Sequence, residues 1–299
     1  MTDCTPDLRL GKWQSVLADV ECDALIVDAP YSDKTHGGHD SAPTVGLSPY
    51  TRSTHGSQRG GAGSKGYETW GGGRPGRVGA GMTFERRAID YAGWSPDDVR
   101  AFVASWSPRT SGWMVSITDH VLAPVWADAM AAGGRYVFAP VPWVACGSRV
   151  RLAGDGPSSW ACYIIVGRPS RDLSWGMRRN VNSPGVFRDG TPFHKWGTLP
   201  GAYVVTADRG GLTGGKPLAL MRAIVRDYSR PGDLVCDPCS GGASTLIAAA
   251  IEGRRSVGAE MDPETHAKAV ERIGRGWTQV MRLPEVRGVQ GGLDLAGGA

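Results

Sequence analysis

The chain has 299 residues, of which 41% are hydrophobic and 21% charged, and its formal net charge is +4. That length supports one large α/β domain with an insertion, or two domains, and the mildly basic balance admits a polyanionic partner. No apolar run reaches transmembrane length and no signal peptide is read, so no membrane partner and a cytoplasmic location are expected. The six cysteines are accordingly expected to be reduced thiols rather than a disulfide framework.

In chain order, Leu8–Lys12 reads as a short strand, and Trp13, Val16, Leu17 and Val20 share one face of a helix over Trp13–Val20. Ala24–Val27 is a continuous apolar run, the pattern of a parallel strand buried on both faces. It ends in Asp28-Ala29-Pro30-Tyr31, a carboxylate, backbone carbonyls and an aromatic ring at the carboxyl end of a strand, where open α/β sheets bind ligands. Residues 32–81 are glycine-rich, without apolar periodicity, and carry Lys34, Arg52, Arg59, Lys65, Arg74 and Arg77 against few acids. The expectation is a mobile basic loop that closes over a polyanion.

Ser95 reads as the N-cap of a helix to Ala104, with Pro96 at the first turn and Asp97 and Asp98 near its positive end. Strands follow at Gly112–Thr118, Tyr136–Ala139 and Trp160–Val166, with a helix at Leu122–Ala132 stopped by Gly133-Gly134. The stretch 168–211 breaks the alternation and interleaves aromatics with bases, among them Arg178, Arg179, Lys195 and Trp196, a composition suited to phosphate contact and base stacking. Lys216-Pro217 opens a helix on which Met221, Ile224, Val225 and Tyr228 share a face.

The stretch from Asp233 to Asp262 reads as strand, glycine-rich turn, helix, strand, acid. Leu234–Cys236 is followed by Asp237-Pro238-Cys239-Ser240-Gly241-Gly242-Ala243, a small-residue helix to Ile251, and a second strand over Ser256–Ala259 that ends in Glu260. Glycines let backbone amides approach a nucleoside, the helix N-terminus adds a positive dipole end, and an acid at the tip of the next strand accepts ribose hydroxyls about 20 residues after the turn. Neither a dinucleotide fingerprint nor a P-loop is present. Cys236-x-x-Cys239 lacks the second pair a zinc site needs, and no metal is expected. Asp262 and Pro263 start a last helix to about Ile273, and 288–299 reads as a disordered tail.

The Asp237 turn resembles the S-adenosylmethionine loop of amino-methyltransferases that act on nucleic acid, approximately D-P-F-x-G-x-G-T. Asp237, Pro238, Gly241 and Thr245 match it, while Cys239 stands for the Phe and Ala243 for the second Gly. Asp28-Ala29-Pro30-Tyr31 resembles the D-P-P-Y motif of DNA adenine-N6 and cytosine-N4 methyltransferases, with Ala29 in place of the first proline. The order of catalytic motif, recognition segment, Lys-Pro helix and cofactor loop is that of the β group. The resemblance covers roughly residues 8–275 and implies a Rossmann-like methyltransferase sheet of α/β class. That sheet is mostly parallel with one antiparallel hairpin strand, in circularly permuted motif order, with a small inserted recognition segment.

The implied organisation is a catalytic half at 1–167, a target-recognition segment at 168–211, a cofactor half at 212–287 and the tail. The implied activity is methylation of adenine N6 in double-stranded DNA by a monomer or homodimer; cytosine N4, or a degenerate DNA-binding module without catalysis, is the alternative. Asp28 and the Ala29 carbonyl would orient the amine, Pro30 would stiffen the turn and Tyr31 would stack on the extruded base. Asp237, Pro238, Cys239, Ser240, Gly241 and Glu260 would hold S-adenosyl-L-methionine, with Lys216 and Pro217 lining its methionine end.

Overall fold

The computed structural model describes residues 4–33, 35, 92–144, 161–170, 185–186, 192–193, 199–205 and 215–275. The strands are β1 (Asp7–Leu10), β2 (Ala24–Val27), β3 (Met114–Thr118), β4 (Arg135–Val137), β5 (Val141–Val144), β6 (Ala161–Pro169), β7 (Gly185–Val186), β8 (Pro192–Phe193), β9 (Tyr203–Val204), β10 (Leu234–Asp237) and β11 (Arg255–Glu260). The helices are α1 (Trp13–Val16), α2 (Pro96–Trp106), α3 (Ala123–Ala132), α4 (Leu218–Tyr228), α5 (Ser244–Ile251) and α6 (Pro263–Gly274).

One sheet runs β1-β11-β10-β2-β3-β6-β5-β9, with β4 also on β6; β7 and β8 form a separate hairpin. The strands β1, β11, β10, β2 and β3 are all parallel. The long strand β6 is antiparallel to β3 on one side and to β4 and β5 on the other, which is the expected hairpin. The sequence pattern gives the reason for the burial. In β2, Ala24 and Ile26 join the core on one face with Val115, Ile224 and Leu246, while Leu25 and Val27 join the other with Phe102, Trp106 and Trp126. Helices therefore cover both faces, and β2, between them at the centre of the sheet, is apolar at every position.

Chain direction around the centre decides where a ligand can sit. From β10 the chain crosses through α5, on the first face, to β11; from β2 it crosses through α2, on the opposite face, to β3. Adjacent strands β10 and β2 thus send their connections in opposite directions, and a crevice opens between their carboxyl ends.

Most expected elements are present, with shifted bounds. Ser95 caps α2 in a full capping box with Asp98. Helix α1 stops at Val16 instead of running to Val20: the Val16 carbonyl accepts from the Arg9 guanidinium at 2.8 Å, and the Leu17 carbonyl accepts from the Arg109 guanidinium at 2.7 Å and from the Val20 amide at 3.2 Å. Strand β5 was not expected, since Pro142 argues against a strand; β9 joins only from Trp143 onward, so Pro142 has one neighbour strand rather than two. Most of the loop 32–81, most of the recognition segment 168–211, including Arg178, Arg179, Lys195 and Trp196, and the tail lie outside the described residues. Among the described residues no helix is long and apolar enough to cross a membrane.

Candidate functional site

Register alone brings the two motifs together. Val235 and Cys236 pair with Ala24 and Leu25, so Asp237 at the end of β10 and Asp28 just past β2 leave neighbouring strands at the same edge. Glu260 ends β11, the next strand over, where Asp237 pairs with Gly258. Asp119 follows β3 on the far side, and the antiparallel β6 brings Cys162 to the same edge from its amino end. Five strands therefore deliver four carboxyls and a thiol to one crevice.

The loop after β10 is fixed by its own atoms. The Cys239 amide donates to Asp237 Oδ1 at 3.1 Å, the Ser240 hydroxyl donates to the Asp237 carbonyl at 2.7 Å, and the Ser240 amide donates to the Ala259 carbonyl at 2.9 Å. From α6, Arg272 donates to the Gly242 carbonyl at 2.6 Å. The loop lies so close to β11 that a Cβ on Gly258 would fall 2.1 Å from Ser240 Oγ and 2.7 Å from the Asp237 carbonyl oxygen. Gly241 and Ala243 both take left-handed backbone, with φ of 49° and 59°. Ala243 holds without glycine a conformation that costs an L-residue about 1–2 kcal/mol. Ala243 is also the N-cap of α5 and has no side-chain cap, so the first amides of that helix take no hydrogen bond from it.

Asp237 is 1% exposed, and burial pushes its carboxyl up to about 7. The Thr245 hydroxyl and the Cys239 amide oppose that shift; the charges of Asp28 and Glu260 add to it. Glu260 receives the Asp262 amide on Oε1 at 2.7 Å. Leu10 and Met261, 50% and 63% exposed, flank that acid and offer apolar surface beside it.

On the other wall, Lys216 Nζ donates to Asp28 Oδ2 at 2.5 Å and lies 5.0 Å from the centre of the Tyr31 ring. Asp28 Oδ1 is buried and accepts no hydrogen bond from a described residue. The Tyr31 hydroxyl donates to Cys162 Sγ at 3.4 Å; turned toward Asp28, the same hydrogen would stabilise the carboxylate. Burial pushes the Asp28 carboxyl above the usual carboxylate range, against the pull of the Lys216 charge and hydrogen bond and of Tyr31. Ala29 is 3% exposed.

The structure places Asp28, Ala29, Pro30, Tyr31, Lys216 and Pro217 at the same edge of the sheet as Asp237, Pro238, Cys239, Ser240, Gly241 and Glu260. Sequence reasoning missed Asp119 and Cys162. Asp119 follows an apolar strand as Asp28 and Asp237 do, a signal that was legible; Cys162 gave none. Among the described residues no group of three or more side chains is arranged to hold a metal ion.

Residues 187–271 match the N6/N4 family model described as DNA methylase. Type II methyltransferase M.Cfr9I of Citrobacter freundii is 26% identical over 161 residues, 52% of this chain, and the match spans about half (51%) of that relative's length. Among solved structures, the M1.HpyAVI–SAM complex superimposes with a TM-score of 0.54 at 16% identity, covering 90% of this chain and 98% of that one. The cytosine-N4-specific PvuII DNA methyltransferase superimposes with a TM-score of 0.50 at 12% identity, covering 92% of each chain. The two superpositions establish the α/β Rossmann-like fold, and residues 187–271 are similar to the DNA N6/N4 methylase family.

Proposed function

We propose, on the premise that the chain is a DNA amino-methyltransferase, that it transfers a methyl group from S-adenosylmethionine to the N6 atom of adenine in double-stranded DNA. One observation carries the reading: Asp28 and the Asp237 loop stand at the ends of adjacent parallel strands over the crevice where the sheet's connections diverge. The residues present fit the cofactor. Gly258 permits the close loop, Glu260 stands at the strand tip where ribose hydroxyls would be accepted, and Leu10 and Met261 supply a flat apolar wall for a purine ring. Bound there, the cofactor would supply an electrophilic methyl group on a positively charged sulfur.

The chain's own residues then have defined tasks. The lone pair of an exocyclic amine is delocalised into its ring and is a poor nucleophile. Asp28 Oδ1, buried and without a hydrogen-bond partner among the described residues, is the acceptor for one amine N–H, and the Ala29 carbonyl is the acceptor for the other. Both contacts favour a pyramidal nitrogen with its lone pair aimed at the methyl carbon. As the nitrogen takes the methyl carbon, whose bond to sulfur would break with its electron pair left on a neutral thioether, the nitrogen gains positive charge that Asp28 stabilises, and the surplus proton leaves the nitrogen through that carboxylate. Tyr31 supplies a face for the flipped base. The Asp and Tyr frame favours adenine N6; cytosine N4 is the alternative. Replacement of the motif's usual residues by Ala29, Cys239 and Ala243 keeps a third reading, a DNA-binding module without turnover.

The experiment is methyl incorporation from tritiated cofactor into mixed-sequence duplex DNA, followed by nucleoside analysis. N6-methyladenine supports the reading and N4-methylcytosine moves it to the alternative. No incorporation with intact cofactor binding rejects both. Asp28→Ala should abolish turnover and leave DNA binding intact; the module reading requires that it change nothing.

A further inference from the structure

The Lys216–Asp28 contact joins residues 188 positions apart and has no counterpart in the tasks given above. Its chemistry is informative because of what surrounds it. Tyr31 faces Asp28 from the same loop and Cys162 from β6, Asp119 lies beyond β3, and Asp237 and Cys239 face it from the loop after β10. Glu260 adds negative charge through Asp237. These groups are acids or neutral donors, and the site is partly dehydrated: the side chains of Lys216 and Asp28 are only 10% and 22% exposed. A carboxyl so placed gains a proton readily unless a cation is held against it.

We propose that Lys216 is a positioning residue for Asp28: it keeps that carboxyl ionised and clamps Oδ2, so that Oδ1 alone is left to receive the substrate's amine. Two separate features of the geometry converge on this. The lysine nitrogen satisfies one carboxylate oxygen at 2.5 Å while the other has no described partner. The ammonium is also held over the Tyr31 ring, and Pro217, which caps α4 immediately after it, fixes the direction from which the side chain reaches across. Lys216 thereby acts on the amine's acceptor rather than on the cofactor. Burial and the neighbouring acids push the carboxyl toward protonation and the lysine is the opposing charge, so its removal must move protonation of Asp28 to higher pH.

The proposal rests on the amine-methylation reading for its consequence but not for its measurement. The full chain, free of cofactor and DNA, is labelled with carboxyl-13C aspartate, and the Asp28 resonance is assigned by its loss in Asp28→Asn. In Lys216→Met the titration midpoint should rise by about one unit or more, and Lys216→Arg should bring it back toward wild type. Lys216→Gln replaces Lys216→Met if the latter melts at a lower temperature than the labelling allows. In the DNA methylation assay the acid limb of kcat/KM should move by the same amount, with cofactor affinity changed less than about twofold.

An unmoved midpoint in both neutral variants overturns the proposal, as does a loss confined to cofactor affinity. A shifted midpoint in a protein that methylates no DNA leaves the lysine's role standing and rejects the proposed function instead.

Discussion

Ser32 and Asp119, 87 residues apart, are joined twice: the Ser32 amide donates to Asp119 Oδ2 at 2.9 Å and its hydroxyl donates to the same oxygen at 2.5 Å. The Thr35 hydroxyl adds a third bond at 2.5 Å, while Oδ1 accepts the amides of Val121 and Leu122. Burial pushes this carboxyl up, but the hydrogen bonds from Ser32, Thr35 and the backbone outweigh it and hold it below its ordinary range. Asp119 therefore fixes the segment directly after Tyr31 onto the end of β3. Asp119→Asn puts a donor where three donors converge. Stability in urea should fall by about 1–3 kcal/mol, and kcat should fall with cofactor affinity unchanged. Unchanged unfolding midpoints would remove the clamp from the account.

Gly258 is the residue that lets the Asp237 loop rest on β11. Gly258→Ala should weaken cofactor binding more than about tenfold, because the loop backbone must move away by more than a flexible side chain could absorb. Gly201→Ala, at a glycine with open space around it and no positive φ, should be neutral. Titration calorimetry with the cofactor compares the two, and equal affinities would show that the loop tolerates displacement.

Tyr31 offers two functions that substitution separates. Tyr31→Phe removes the bond to Cys162 Sγ and keeps the ring, so DNA affinity should change little. Tyr31→Ala removes the stacking face, at a cost of about 1–3 kcal/mol in binding duplexes whose target base is already unpaired. If Phe were as damaging as Ala, the hydroxyl and not the ring would be the recognition group.

Asp237 makes stability depend on pH in a known direction. Its folded value of about 7 lies above the ordinary 3.8, so between these values the folded chain holds a proton that the unfolded chain has released. Stability without ligand should therefore fall as pH rises from 4 to 7 and level off above. Asp237→Asn should flatten this dependence, gaining at most about 4 kcal/mol over wild type at pH 8 and much less at pH 4. Thermal melts across this range would expose a wrong sign directly.

The described residues on either side of 36–91 meet beside Tyr31: the Trp94 amide donates to the Tyr31 carbonyl at 2.9 Å, and Gly93 packs so tightly on Asp33 that a Cβ would lie 2.5 Å from Asp33 Oδ1. Replacing 36–91 by a short Gly/Ser linker should leave the melting temperature within a few degrees and cofactor binding intact. It also removes Arg52, Arg59, Lys65, Arg74 and Arg77, so the salt dependence of DNA binding should become shallower. Collapse of the fold would show that the stretch belongs to the core.

Sequence showed the centre of the sheet well because its strands carry short apolar runs that end in acids, as Ala24–Val27 does at Asp28 and Leu234–Cys236 does at Asp237. It showed the two motifs as separate segments, and the permuted order supplied their adjacency. Strand β5 was hidden by Pro142, and the end of α1 by a long-range guanidinium that no local pattern announces. The Lys216–Asp28 pair was hidden for the same reason, since Lys216, just before α4, meets Asp28, just past β2, through the packing of that helix on the sheet and not by spacing along the chain.

The parallel pairing of β1 with β11 and of β2 with β10 has a consequence for synthesis on the ribosome. Strand β1 waits for β11, Asp7 for Val257, and β2 has no neighbour on its β10 side until some 210 residues later. Until then a nascent chain displays an apolar strand edge that invites pairing with other chains, so the yield of native protein depends on how quickly the final quarter emerges or on what shields that edge meanwhile.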